Sequence, residues 1–157
     1  MKKILLALLF ASALLVTGCN KKTTANSSIA QTLSADFTSK VSANSNISMD
    51  ELAEKLISNK IIPFAGASMS VEPGFLNGFT SEVTGFSEGA LFGPMIGSIP
   101  FIGYVFKVDG NPEQFIKTLK EKADLRWNIC TQADEMVSTN VGNTVFFVMA
   151  PLNFDEE

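Results

Sequence analysis

The chain has 157 residues, with 12 basic and 16 acidic side chains and no histidine, for a net charge of −4. Lacking imidazole, it has no Ser-His-Asp or Cys-His catalysis, no His-ligated zinc and no histidine pH switch. The acidic balance sets it against nucleic acid, whose backbone needs cationic partners.

Met1-Lys2-Lys3 is a short basic start, and Ile4 to Val16 is apolar apart from Ser12. Thirteen helical residues at about 1.5 Å each reach roughly 20 Å, short of the ~30 Å hydrocarbon core. That length suits a secretion signal better than a permanent span. The stretch ends in Val16-Thr17-Gly18-Cys19, which resembles the lipobox of bacterial lipoproteins. The resemblance implies a diacylglycerol on the Cys19 thiol and cleavage between Gly18 and Cys19. It makes residues 1–18 a signal peptide and 19–47 a lipidated N-terminus and tether. The partner would be the bilayer, held through the Cys19-linked acyl chains, on the extracytoplasmic face of the membrane. Lys21 and Lys22 would then lie beside the headgroups.

Asn20 to Ile47 is dominated by Ser, Thr, Asn, Ala and Lys, the composition of a solvated tether. Ile29, Leu33, Phe37 and Val41 recur at every fourth position, which would suit a weak helix against a partner, but no strong cap is evident. At Ser48 the pattern sharpens. Ser48-Met49-Asp50-Glu51 reads as a capping box, and Leu52, Ala53, Leu56 and Ile57 form one apolar stripe ending at Ser58-Asn59. The domain is expected to start here and to occupy residues 48–157.

Lys60 to Pro100 is rich in Gly and Pro and lacks a sustained period, so it is expected to be irregular. Phe101 to Val108 is apolar on both alternating faces until Lys107, as in a strand covered on both sides. Asp109-Gly110 turns the chain, and Asn111 caps a helix with Pro112 at its first position. Phe115, Ile116, Leu119 and Ala123 face inward, with Glu113 and Lys117 four apart outside. Glu135 to Val141 and Thr144 to Ala150 form a hairpin across Gly142-Asn143. Its register puts Val141 opposite Thr144 and Val137 opposite Val148. The sum is an α+β fold: a small mixed or antiparallel sheet with a strand–helix–strand–strand core and an N-terminal capped helix.

Four constellations bear on chemistry. Gly85, Gly89, Gly93 and Gly97 recur at the spacing of close-packed membrane helices, and Gly89 to Phe106 carries no charge. Pro94 and Pro100 exclude a helix, so the segment reads as a glycine-rich connection or a groove for a partner protein or small apolar ligand. Its candidate contacts are Phe92, Pro94, Met95, Ile96 and Ile99. Asp109-Gly110-Asn111-Pro112-Glu113 is turn and cap rather than a calcium loop, since Lys120 stands where the last ligand belongs. Cys130 in Arg126-Trp127-Asn128-Ile129-Cys130-Thr131 is expected to be a small buried apolar residue. Glu82, Glu88, Asp134 and Glu135 read as surface charges, with nothing that brings two together. No catalytic residue, metal ligand or cofactor follows from the sequence.

The runs Glu72–Phe79, Phe92–Phe106 and Arg126–Thr131 look like those of uncharacterised lipoproteins of Gram-positive anaerobes, a resemblance that implies no activity. The expected function is a membrane-tethered binding or interaction domain. A cell-envelope hydrolase using paired carboxylates, or a structural subunit of a surface assembly, stands as the alternative. Cys19→Ser is expected to abolish membrane retention and leave an uncleaved precursor. Fractionation showing normal cleavage after Gly18 with full retention would contradict the anchor.

Overall fold

A computed structural model describes residues 27–154. The expected signal segment, Gly18 and Cys19 lie outside the described residues, as does the acidic end 155–157. The order is α1 (Ile29–Ala43), α2 (Met49–Ile57), β1 (Gly66–Val71), β2 (Phe86–Pro94), β3 (Ile102–Val108), α3 (Pro112–Lys122), β4 (Glu135–Val141) and β5 (Thr144–Ala150). The five strands form one antiparallel sheet in the order β1-β2-β3-β5-β4. The fold is therefore α+β, with α3 carrying the chain from β3 to β4 while β5 fills the place between them.

The tether expectation fails over residues 29–43. Ser28 is the missing cap, its Oγ accepting from Gln31 N–H at 3.2 Å, and Ala30, Leu33, Phe37 and Val41 are buried on the sheet. The recurrence at every fourth position is a helix stripe whose partner is the chain's own β4 and β5. The domain thus includes α1 and reaches at least to Ser28, about twenty residues earlier than expected. In α2, Ser48 Oγ accepts from Glu51 N–H as a capping box requires, whereas the Glu51 carboxylate pairs with Lys55 at 2.9 Å.

Helices α1 and α2 lie antiparallel on one face of the sheet. Asn59, just past the end of α2, donates to Asp36 at 2.8 Å, while Lys40, a turn further along α1, shares a surface depression with Glu51, Glu54, Lys55 and Ser58. The opposite face is covered by α3 and by residues 72–85, which are pinned to the end of α3 through Thr80 N–H to the Lys122 carbonyl and Asp124 N–H to the Gly78 carbonyl. Each face has its own aromatic core. Phe37, Phe92 and Phe146 meet beneath the helix pair, at 5.4 and 6.2 Å; Phe86, Tyr104, Phe106 and Phe115 meet on the α3 side, at 4.8 to 5.5 Å.

The expected irregularity of 60–100 also needs correction, since β1 and β2 both lie there. Between Phe86 and Glu88 the register of β2 slips. A bulge moves the following residues to the other face, so Phe86 belongs to the α3-side core and Phe92 to the helix-pair core. No single period could reveal such a strand. Glycines of β2 and β3 serve packing: a Cβ at Gly103 of β3 would stand 2.2 Å from the Phe92 ring that covers it, and one at Gly89 of β2 would crowd Phe86 and Phe106. Gly89 to Phe106 is two strands and a turn, and among the described residues no helix is long and apolar enough to cross a membrane.

The strand–helix–hairpin unit follows its expected course. Asn111 Oδ1 accepts from Gln114 N–H at 2.9 Å, and the hairpin pairs Val141 with Thr144 and Val137 with Val148. Phe146 and Phe147 are fully buried on opposite faces. The exterior pair on α3 is Lys117 with Glu121 at 3.9 Å, not Glu113 with Lys117.

Phe37→Ala is expected to lower stability by about 3–5 kcal/mol, the range for deleting a buried Phe side chain. An unchanged denaturation midpoint in urea would return residues 29–43 to the status of a tether.

Candidate functional site

The sheet has two unlike ends. At one end lie the Asp109-Gly110 turn, the Gly142-Asn143 turn and the α1–α2 connection, whose exposed residues are polar. At the other end four segments meet: the chain between α2 and β1, the 95–101 turn after β2, residues 125–134 after α3, and residues 151–154 after β5. Here Ile61, Met95, Ile96, Ile129 and Leu152 are all exposed, with Met95 at 71%, Ile96 at 68% and Ile129 entirely free of cover.

A cleft of about 450 Å³ opens at this apolar end. Its floor is Leu91 and Gly93 of β2 with Ile102 of β3, and its walls are Gly97 and Ile99 on one side and Trp127, Ile129 and Cys130 on the other. Pro94 explains how the floor strand ends. The Met95 N–H to Ala65 carbonyl bond directs alternate residues of β2 toward β1. Pro94 therefore turns its donor-less nitrogen away from β1, where the β2–β3 register has already stopped at Phe92 and Gly103. The chain is released into the turn at that point. Asn128 ties the walls together through a hydrogen bond from its side-chain amide to the Gly97 carbonyl.

A second buried anchor supports the cleft from below. The Tyr104 hydroxyl donates to the Asn77 carbonyl at 2.7 Å, and Asn77 also lines the cleft. Burial pushes the Tyr104 hydroxyl well above the ordinary tyrosine range.

Of the expected groove residues, Pro94 and Ile99 line the cleft, whereas Met95 and Ile96 stand exposed at its mouth. Phe92 is a correction: it points through the sheet into the helix-pair core, because the bulge in β2 sets it on the face opposite Leu91. Cys130 is another, since it is exposed and unpaired rather than buried. Sequence reading singled out both 92–99 and 126–131 but had no signal that they face each other. It also missed Asn77, Leu91 and Ile102, whose roles depend on the register.

The cleft lining contains no carboxylate and no lysine or arginine. Glu82 and Glu88 lie exposed elsewhere, and Asp134 accepts from Leu152 N–H at 3.0 Å. Glu135 is the first residue of β4. Asp50 and Glu88 share a smaller depression of about 280 Å³ beside β1, where Asp50 is held by the Ser70 hydroxyl at 2.7 Å. Among the described residues no group of three or more His, Cys, Asp or Glu could hold a metal ion. No family model, curated protein or solved structure matches the chain.

Burial of the Tyr104 phenol makes stability depend on pH. The folded state keeps the phenol protonated while an unfolded chain ionises from a pH of about 10, so this stability is present below that pH and lost above it. The single tyrosine of the chain should thus ionise only as the fold collapses, in one step seen together by tyrosinate absorbance and circular dichroism. Ionisation near the ordinary tyrosine value with the fold intact would show that the Asn77 anchor is absent.

Proposed function

We propose that the chain is the precursor of a lipid-anchored extracytoplasmic protein whose domain binds a small apolar ligand in the cleft between residues 91–102 and 127–130. The observation that carries this reading is the composition of the cleft. Apolar side chains from three separate segments line it, and Asn77 and Asn128 are the only polar side chains other than Cys130 among its lining residues. This is the make-up of ligand sites in general, mostly apolar with few placed polar groups, and the volume falls within their usual range. Without a carboxylate in its lining, the cleft gives a glycosidase-type acid and base no place to act. Acylation of Cys19, cleavage after Gly18 and placement outside the cytoplasm belong to the same proposal, supported by the lipobox-like segment directly after an apolar stretch.

Ile129 lines the cleft without supporting the fold, which makes it the informative position. Native mass spectrometry of the lipidated protein extracted from its own membrane should show a bound apolar species. Ile129→Asp should reduce its occupancy at least about tenfold while leaving stability within about 0.5 kcal/mol. Equal occupancy in the variant would remove the cleft as the binding site.

A further inference from the structure

Helix α1 runs antiparallel to α2, and α2 ends beside Gly66 at the start of β1, where Ile57 packs against the backbone. The first residue of α1, Ile29, therefore stands at the same end of the domain as the cleft. The described chain enters α1 from that end. Eight residues lie between Cys19 and Ser28, and fully extended the nine steps reach at most about 30 Å. An acyl chain on Cys19 would thus hold the apolar end, not the polar one, within reach of the bilayer. Ile61, Met95, Ile96, Ile129 and Leu152 are exposed at this end. The other two exposed large apolar side chains among the described residues are Met69 in β1 and Phe75 in the segment after it, so five of the seven gather at the cleft end.

We propose that this apolar end docks into the outer leaflet, with Met95, Ile96 and Leu152 entering the headgroup–acyl boundary and the mouth of the cleft opening onto lipid. The inference rests on the lipid-anchor reading, and it names the membrane as the surface the cleft faces. The driving force is apolar area rather than charge. Lys60, Lys122 and Arg126 lie at this end, but so do Asp124, Asp134 and Glu135, which balance them. Docking should therefore be no stronger on anionic than on zwitterionic vesicles, unlike that of a basic amphipathic surface. A docked end also gives an apolar ligand a path from the leaflet into the cleft that avoids water.

Trp127 is the only tryptophan of the chain and lines the cleft, so it reports on this geometry without labelling. The lipidated protein would be reconstituted into phosphatidylcholine vesicles containing lipid brominated high on the acyl chains. Its Trp127 emission should be quenched at least about twofold, as for a tryptophan at the membrane interface. A Met95→Asp/Ile96→Asp/Leu152→Asp variant should stay on the vesicles through its acyl chains, keep its thermal midpoint and lose the quenching. These three residues are exposed and lie outside the cleft lining, so the variant leaves the ligand contacts at Ile129 in place. Protein that is acylated and vesicle-bound but unquenched would overturn the docking inference and leave the anchor reading standing. Protein that carries no acyl chain would remove the anchor reading and this inference together. Concentration-dependent self-association in the absence of vesicles, abolished by the same variant, would assign the apolar end to a second copy and overturn the lipid assignment.

Discussion

Tyr104, Val105 and Phe106 of β3 and Phe146 and Phe147 of β5 lie side by side in the sheet, none with any exposed surface. Val105 and Phe146 face the helix pair, while Tyr104, Phe106 and Phe147 face α3. A strand pair with two apolar faces is stable in water only if a layer covers each face. Among the described residues the single cysteine is unpaired, so no disulfide can make up for an uncovered face. The rest of the structure answers that constraint. Helix α3 and residues 72–85 close one face, and α1 and α2 close the other. Without α1, Phe146, Val148, Val137 and Val141 would face water, so the helix is as much part of the core as the hairpin beneath it.

This explains which parts of the fold could be read from the sequence. The strand–helix–hairpin unit was legible because its signals are local: apolar runs of strand length, Asn111-Pro112 at a helix start, a two-residue turn at Gly142-Asn143. Helix α1 was obscured because its exposed positions are Gln, Ala, Thr and Ser, which read as a tether. Four apolar residues carry the packing, and their significance depends on strands a hundred residues away. Strand β2 was obscured by its bulge, which places Phe86 and Phe92 on opposite faces although both stand at even positions. The glycines at 85, 89, 93 and 97 recur at every fourth position without sharing a cause. Gly85 takes a positive φ of 95°, Gly89 makes room for rings, and nothing approaches the place a side chain would take at Gly97.

The candidate site was legible in halves. The turn 93–99 stood out because an uncharged Gly- and Pro-rich stretch must be either covered or used, and residues 126–131 stood out as a cluster of unlike side chains. Their convergence depends on Asn128 reaching Gly97 and on α3 returning the chain to the end of the sheet where β2 finishes. Neither is encoded in the neighbourhood of either segment. The same end of the sheet gathers five of the seven exposed large apolar residues among those described, while the turns at Gly110 and Gly142 are polar. That asymmetry gives the domain a direction relative to Ser28, where α1 starts.

Hydrogen exchange tests the two linked claims, that α1 is a structural layer and that it orients the domain. It would compare the lipidated protein on vesicles with the unlipidated Cys19→Ser form in solution. Amides of α1 from Leu33 to Val41 should exchange on the timescale of those in β5 in both forms, since both would open only with the core. Amides of 95–99 and 127–131 should slow on vesicles, while Gly110, Gly142 and Asn143 should not change. Exchange of α1 at the rate of an unstructured peptide, or protection gained at the Gly110 and Gly142 end instead, would contradict the account.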